Sequence, residues 1–213
     1  MSLKIDLKIF LFIIIFYFIR QIDIYAYMMF FALVHELGHL FTGMTLGFKP
    51  ESIKITPLGF CINFKIPIDE YNKKVNKSTL IDLKKIVIDI AGPLTNVIII
   101  FIYILLNYEG NNYKVIVYSN LLITIFNLLP IYPLDGGRIL KNIFNIIFGK
   151  IKSYTYILNI SNFFMFVFTF LGSIFVYYLR SFALFSIIIY LWVMVLRENR
   201  VIRMKLKLFE SLN

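Results

Sequence analysis

Two histidines and a glutamate stand close together near the start of the chain, in the run His35-Glu36-Leu37-Gly38-His39. Residues four apart share one face of a helix, so both imidazoles can bind one metal ion while Glu36 projects beside them. A zinc ion lowers the pKa of a bound water towards neutrality, and a glutamate can take its proton and deliver it to a departing amine. The chain has no other histidines. The run therefore predicts a Zn2+ site for peptide hydrolysis, with His35 and His39 as ligands and Glu36 as the base.

Composition places this motif in a membrane. Hydrophobic residues make up 60% of the chain and aromatic residues 18%, with a mean hydropathy of +0.80, whereas the apolar share of a soluble domain is nearer half. Ionisable residues inside a membrane are costly and usually functional. This disfavours the alternative in which the histidines and the glutamate only form hydrogen bonds between packed helices.

Charge and cysteine content exclude further classes. The net charge of +10 could indicate nucleic acid, but the sequence has no basic face with stacking aromatics, so we expect no nucleic-acid partner. Cys61 is the single cysteine, which excludes an internal disulfide and a multi-cysteine metal site. The first apolar run lacks a small-residue cleavage site after it, which predicts a retained anchor.

Apolar segments predict an all-α polytopic membrane protein with about six transmembrane helices. We expect a single domain over 1–213, with a metal-binding core over about 24–137, further spans over about 154–196 and a basic cytoplasmic tail over 197–213. Ile139 to Lys152 has apolar residues at helical spacing and is predicted to be an interfacial amphipathic helix. Five predicted spans cover approximately residues 3–19, 24–48, 86–106, 154–178 and 181–196, and the fourth in chain order begins near residue 113 and ends within 126–137.

The longest segment between spans, residues 49–85, begins with apolar and polar residues in alternation. Ile53 to Ile66 alternates around the turn sequence Pro57-Leu58-Gly59, which predicts a short cytoplasmic β-hairpin near the active site. Two roles remain open for it. The hairpin could cover the site, or its free edge could pair with an extended substrate. Asp69 to Lys85 is polar and basic and is predicted to be a solvated loop or a surface helix.

The distribution of basic residues gives the orientation. With six spans and both termini cytoplasmic, 19 Lys and Arg residues lie on the inside and three, Arg20, Lys114 and Arg180, on the outside. Cytoplasmic loops collect Lys and Arg, so this orientation is strongly favoured. It places the hairpin, His35 and Asp135 on the cytoplasmic side.

Two further segments carry polar residues at membrane depth. Pro93 should bend the third span, and Asn96 lies one turn beyond it, where it could bond a substrate backbone or another helix. Two prolines and two glycines between positions 130 and 137 predict that the backbone unwinds around Asp135. A carboxylate at membrane depth needs a cation as a partner, and Asp135 would have one if it were the third ligand of the zinc ion. The alternative is an aspartate that caps a helix beginning near Arg138.

Taken together, three motifs resemble the signature of the site-2 metalloproteases, which cut substrates within or beside the membrane. The resemblance covers residues 35–137 and is most similar to the stage IV sporulation protein FB group. The motifs are His35-Glu36-x-x-His39, Gly92-Pro93-x-x-Asn96 and Asn127-x-x-Pro130-x-x-Pro133-Leu134-Asp135-Gly136.

The resemblance implies a zinc metalloendopeptidase that removes the pro-sequence of a sporulation sigma factor. The implied location is a bacterial inner membrane, namely the mother-cell-derived membrane around the forespore, with membrane inhibitory proteins as further partners. Asn96, Asn127 and Pro133 would then contact the substrate or the transition state. We expect no nucleotide-sensing CBS domain and no PDZ domain.

Other functions remain as alternatives. A site-2 protease could act on a different membrane-tethered regulator. A membrane metal transporter could also place His and Asp in its spans, although it has no need for Glu36 or for a hairpin. An inactive scaffold is expected to lose one of the four central residues, and all four are present, namely His35, Glu36, His39 and Asp135.

Overall fold

The structure, a computed structural model, describes residues 2–57, 59–65, 75–106, 112–179 and 182–211. These ranges contain three strands, β1 (Ser2–Ile5), β2 (Lys49–Thr56) and β3 (Gly59–Lys65). They also contain seven helices: α1 (Lys8–Phe18), α2 (Ile22–Thr45), α3 (Val75–Leu105), α4 (Tyr113–Asn127), α5 (Asp135–Phe148), α6 (Lys150–Leu179) and α7 (Phe182–Ser211). The chain divides into two compact units, Met1–Asn127 and Leu128–Asn213.

Four of the described helices are long and apolar enough to cross a membrane: Ile22–Thr45, Thr79–Leu105, Lys150–Tyr178 and Phe182–Phe209. A spanning helix needs roughly 20 residues. Helix α1 has 11 residues and α4 has 15, so both are short for a full crossing. The prediction of a largely helical membrane protein holds, whereas the number of about six spans is not confirmed.

The N-terminal residues differ from the prediction. We expected Leu3 to Ile19 to form one helical span, but Ser2–Ile5 is a strand that pairs in parallel with β2, with Ser2 opposite Ser52 and Ile5 opposite Ile55. The backbone amides of β1 are satisfied by a strand some fifty positions away in the chain. Such long-range pairing overrides the local apolar pattern, so the predicted first span is wrong over its first residues.

The predicted hairpin is present, and it lies along α2. Strands β2 and β3 pair antiparallel, from Thr56 opposite Gly59 to Lys49 opposite Lys65. The hydroxyl of Tyr25 on α2 donates to the carbonyl of Pro57, 3.0 Å away. A Cβ on Gly59 would touch Ala32 of α2. The hairpin is therefore packed against the side of the helix that carries the histidines, rather than lying only beyond the C-terminal end of that helix.

Helices α2, α3 and α4 form the helical core of the first unit. Phe31 and Ala32 of α2 pack with apolar side chains of α3 and α4, namely Ile99, Tyr103, Ile116 and Ile123. Helix α3 continues through Pro93. A Cβ on Gly38 would collide with Thr95 and lie 3.0 Å from the carbonyl oxygen of Ala91, so this glycine allows α2 and α3 to approach closely.

The predicted segment 69–85 divides between described and undescribed residues. Residues 66–74 lie outside the described ranges, whereas α3 begins at Val75 and continues into the membrane helix without a break. On this first part of α3, Asp82 is buried, and its carboxylate lies 3.5 Å from the ammonium of Lys85. The helix of the third span thus begins earlier than the expected residue 86.

The second unit is built from α5, α6 and α7. Its core contains Ile157, Leu158 and Ile202. Hydrogen bonds also join α6 to α7, from Asn199 to Asn162 at 2.7 Å and from Trp192 to Thr169 at 2.9 Å. The predicted amphipathic helix is present as α5, but it ends at Phe148, and α6 begins at Lys150 immediately after Gly149, whose φ is 80°. The predicted tail from Arg197 is also helical as far as Ser211, because Ile202 packs into the core.

Candidate metal centre

His35 and His39 lie on one face of α2, as the four-residue spacing predicts. Both are buried, with 2% and 4% of their surface exposed. Their Nε2 atoms are 3.1 Å apart, and the rings are nearly perpendicular, at 84°. Two nitrogen lone pairs directed at one point repel each other unless a proton or a cation lies there, so this pair is arranged for a shared positive charge.

The other side of the His39 ring is held by the backbone of α3. Its Nδ1 lies 2.6 Å from the carbonyl oxygen of Ile88. A carbonyl only accepts, so Nδ1 must carry the proton, and Nε2 is left with the free lone pair. Metal-binding histidines are commonly oriented in this way by a carbonyl or a carboxylate.

Gly92 of α3 forms the floor beneath the two imidazoles. A Cβ at this position would collide with His39 Nε2 and would lie 2.6 Å from His35 Nε2. Only a residue without a side chain leaves room for both nitrogen atoms and for anything that they bind. The Gly-Pro-x-x-Asn sequence thus contributes, in addition to the proline, a glycine that leaves space beside the two imidazole nitrogens.

Three other residues of the first unit that were predicted to act at the site differ in how deeply they are buried. Glu36, directly after His35 on α2, is half-buried, and Asn127, at the end of α4, is also half-buried. Asn96 on α3 is fully buried, and neither polar atom of its side chain has a hydrogen-bond partner among the described residues. A buried amide without partners costs free energy, of order 1 to 3 kcal/mol for each unmet group. Asn96 is therefore suited to bind something polar.

Asp135 stands at the beginning of α5, in the second unit. The preceding residues are not helical, as the prolines and glycines predict, but the helix begins at Asp135 itself, three residues before Arg138, where we expected it. The peptide bond between Tyr132 and Pro133 is cis, and Pro133 is half-buried. The prediction of an unwound backbone is thus correct before Asp135 and wrong from Asp135 onwards.

Two glycines allow this segment to fold tightly against the start of α5. A Cβ on Gly136 would collide with the carbonyl oxygen of Leu128, and one on Gly137 with the backbone of Tyr132. The Asp135 carboxylate is 5% exposed, lies at a helix N-terminus, and is 3.9 Å from the Arg138 guanidinium. Both surroundings place partial or full positive charge beside the carboxylate.

His35 and His39 on the first unit and Asp135 on the second are the three residues predicted to hold a metal ion. Two imidazoles and one carboxylate are ligands that zinc accepts, and zinc binds imidazole nitrogen at about 2.0 to 2.1 Å. Tetrahedral geometry at that length separates two ligand nitrogens by about 3.3 Å. The observed 3.1 Å between the imidazole nitrogens is close to this value. The residues present fit zinc.

Comparison with known proteins agrees with this geometry. Residues 110–172 match the model of Peptidase family M50. The matched region thus has the sequence pattern of peptidase family M50. It is 33% identical over 129 residues to a zinc metalloprotease of Methanocaldococcus jannaschii, an alignment that covers 56% of this chain and 34% of that protein. It is 27% identical over 117 residues to stage IV sporulation protein FB of Bacillus subtilis, covering 53% of this chain and 37% of that protein.

The chain thus spans about a third of the length of the curated relatives that it matches. The fold is similar to the solved structure of a site-2 protease from Methanocaldococcus jannaschii, with a TM-score of 0.70 over 92% of this chain and 90% of that one. The sequence identity in this comparison is 21%. The chain therefore has the fold of that site-2 protease.

Two contributors to the site were not found from the sequence alone. The carbonyl of Ile88 has no signal in the sequence, because any residue supplies a carbonyl. The role of Gly92 had a signal, its place in the Gly-Pro-x-x-Asn motif, but the motif does not reveal which side chains the glycine accommodates.

Proposed function

We propose that this protein is an intramembrane zinc metalloendopeptidase of the M50 type that hydrolyses a peptide bond of a membrane-associated protein. One observation carries the proposal. The lone-pair nitrogens of two buried histidines converge at 3.1 Å on the helix that also places Glu36 beside them. Peptide hydrolysis needs both a Lewis acid and a base within reach, and this helix supplies the protein groups for both.

In this proposal His35, His39 and Asp135 hold the zinc, which would supply Lewis acidity and an activated water. The carbonyl of Ile88 keeps the proton of His39 on Nδ1, and Gly92 keeps the space around both Nε2 atoms clear. Glu36 takes a proton and passes it to the departing amine. Its half-buried position lets it face the reaction without being locked in the core.

The substrate must be extended at the cut site, because a helical backbone hides its carbonyl groups in hydrogen bonds. In the sheet order β1-β2-β3, β1 occupies one side of β2, and β3 is an edge strand. Strand β3 follows α2: Gly59 lies against Ala32, and Phe64 lies against Gly43. Both histidines lie between these two contacts along α2. We therefore assign the edge of β3 as the strand that pairs with the substrate.

Asn96 supports this proposal through its burial. A peptide group offers one donor and one acceptor, which are the complements of the unmet Oδ1 and Nδ2 atoms of Asn96. Asn127 and Pro133 are proposed to contact the same stretch of substrate. Together with β3, these residues would hold the scissile bond in place for attack.

The test of activity uses purified protein in lipid, a membrane-tethered substrate, and either zinc or a chelator. We expect cleavage that the chelator stops and added zinc restores, with the Glu36→Gln variant as an inactive control. A metal transporter would instead move zinc across the vesicle membrane and leave the substrate intact. Zinc transport without cleavage would overturn the proposal.

The role of β3 is tested by proline substitution. Ile62→Pro removes one backbone donor, so it should impair cleavage of a full substrate more than Ile62→Ala does. Cysteines placed in β3 should also crosslink to residues that flank the cut site in the Glu36→Gln background. If crosslinks formed only with residues on the other side of the membrane, both the pairing and the proposed orientation would be wrong.

The finer proposal is that the substrate is the pro-sequence of a sporulation sigma factor, in a bacterial inner membrane around the forespore. It is supported by the motif resemblance and by the similarity to stage IV sporulation protein FB. Both termini would be cytoplasmic, and membrane proteins that inhibit cleavage would be further partners. Incubation with a pro-sigma factor and with a different membrane-tethered regulator should show cleavage of the first. Cleavage of the second alone would favour another regulator as the substrate.

A further inference from the structure

The second unit carries a concentration of positive charge that the proposed chemistry does not use. Between Lys141 and Lys207 the sequence has one acidic residue, Glu198, and nine basic residues. Four of the lysines belong to three neighbouring helices: Lys141 on α5, Lys150 and Lys152 at the start of α6, and Lys205 on α7. We call these four residues the basic corner.

Contacts between the three helices bring the four lysines to one end of the unit. The Ser153 hydroxyl donates to the carbonyl of Lys141, 2.7 Å away, which joins α5 to the start of α6. Tyr154 and Leu206 pack against the same core residues, which places Lys205 beside the start of α6. The ammonium of Lys205 lies 5.9 Å from the centre of the Tyr154 ring. The charges thus form one surface, although 64 positions separate the first lysine from the last.

Tyrosines mark this surface as one at the membrane boundary. The Lys141 ammonium lies 5.6 Å from the centre of the Tyr132 ring, so two lysines of the corner rest on tyrosine rings. Tyrosine is enriched where hydrocarbon meets water, and lysine side chains near helix ends extend to that level. The start of α6 also begins a helix long and apolar enough to span.

Exposed apolar side chains alternate with the charges. Phe148 and Tyr156 pack ring against ring at 5.3 Å, and Phe144 joins them at 5.9 to 6.0 Å. Beside this aromatic cluster, Ile147 is 62% exposed and Ile151 is 44% exposed. Ile151 stands between Lys150 and Lys152 in the sequence. A surface with apolar and cationic side chains side by side matches a lipid, which presents acyl chains and phosphate at the same boundary.

We propose that the basic corner binds the phosphate-bearing headgroup of an anionic phospholipid, with the aromatic cluster and Ile151 against its acyl chains. Charge complementarity favours this occupant over a second copy of the chain, because two copies would bring lysines against lysines. A soluble acidic protein would satisfy the charges but would leave Ile147 and Ile151 without an apolar partner. Bound lipid would also fix the start of α6 at the membrane surface.

The test compares lipid retention by the purified protein in detergent micelles, measured by native mass spectrometry. The probes are phosphatidylglycerol and phosphatidylcholine, which differ in headgroup charge. The test variant replaces Lys150, Lys152 and Lys205 with Gln. The control replaces Lys4, Lys65 and Lys114 of the first unit with Gln, which removes the same charge from exposed positions.

We expect the wild type and the control to retain phosphatidylglycerol in preference to phosphatidylcholine. The test variant should bind phosphatidylglycerol at least about tenfold more weakly, since each lysine near an anionic surface contributes roughly fivefold. Circular dichroism and gel filtration should show both variants folded. The proposal is overturned if the control loses as much binding as the test variant or if both lipids bind equally. Displacement of the lipid by millimolar inorganic phosphate would overturn it too, because that result indicates a site for the ion alone.

Discussion

The proposed zinc ligands comprise a histidine half on the first unit and an aspartate half on the second, and the two are built from different kinds of backbone. His35 and His39 stand on an uninterrupted helix of 24 residues, where the helical repeat alone places them together. Asp135 begins a helix after a non-helical segment that contains a cis proline. The first half needs only regular geometry. The second needs prolines and glycines at fixed positions, because the chain must turn sharply and then place one carboxylate at the start of a helix.

The two halves also orient their ligands differently. His39 is fixed by one hydrogen bond to a backbone carbonyl of another helix, whereas Asp135 is surrounded by the N-terminus of its own helix and by Arg138. An imidazole must be held in the correct tautomer, whereas a carboxylate must be kept ionised. Each half thus has the support that its ligand chemistry requires.

The largest expected effect separates catalysis from metal binding within the histidine half. Glu36→Gln should lower peptide cleavage by about 10²- to 10⁴-fold while zinc stays bound, because it removes the base and keeps both imidazoles. Cleavage assays and zinc analysis of the same sample measure the two properties. Retained cleavage in this variant would falsify the role of Glu36.

The next effect concerns the aspartate half. Asp135→Ala should lower both zinc content and cleavage, with a loss of zinc affinity of at least about 100-fold, because two imidazoles leave the ion with too few ligands. Zinc stoichiometry by elemental analysis is the measurement. The comparison is Asp89→Ala, which removes another buried carboxylate, on α3. If Asp135→Ala kept its zinc and Asp89→Ala lost it, the third ligand would have to be reassigned to Asp89.

A smaller effect tests the space that Gly92 leaves beside the two histidines. Gly92→Ala places a methyl group against both Nε2 atoms, and we expect zinc affinity to fall by about 10- to 100-fold, as for other residues that orient ligands. Gly172→Ala is a matched control, because its new methyl group meets the flexible end of Ile188 instead. Equal zinc binding by both variants would show that the rings can move aside at little cost.

The smallest effect concerns the attachment of β1 to β2. Burial raises the pKa of the Asp6 carboxyl group. Two contacts lower the pKa by more than burial raises it: the backbone N–H of Lys8 donates to the carboxylate at 3.2 Å, and the Lys54 ammonium lies 3.5 Å from it. The pKa of Asp6 is therefore lowered below its ordinary value of 3.8. The stability that the ionised Asp6 carboxylate contributes is fully present when the pH is above that ordinary value, and it is lost as the pH falls through the folded-state pKa.

We expect Asp6→Asn to destabilise the β1 pairing by no more than about 1 kcal/mol near neutral pH, since the ion pair is partly exposed. Hydrogen exchange of the β1 amides should be faster in the variant at pH 7, and the difference should shrink below pH 4. A difference that did not depend on pH would indicate that the charge of Asp6 is irrelevant to the strand.

The sequence by itself determined the parts of this protein that depend on local periodicity. The four-residue spacing of the histidines, the alternation of the hairpin and the prolines and glycines before Asp135 each specify a local geometry that tertiary contacts did not change. The apolar composition likewise determined the membrane setting, since the cost of placing polar groups in hydrocarbon leaves few alternatives.

Only the tertiary structure decided which distant segments meet. The pairing of Ser2–Ile5 with β2, the position of the hairpin along α2 and the bond from His39 to Ile88 join residues that lie 32 to 50 positions apart. No local pattern encodes such contacts, because they arise when separate segments satisfy one another's backbone groups and surfaces. The prediction of a first span beginning at Leu3 failed for this reason: its first three residues form hydrogen bonds with a strand instead of within a helix.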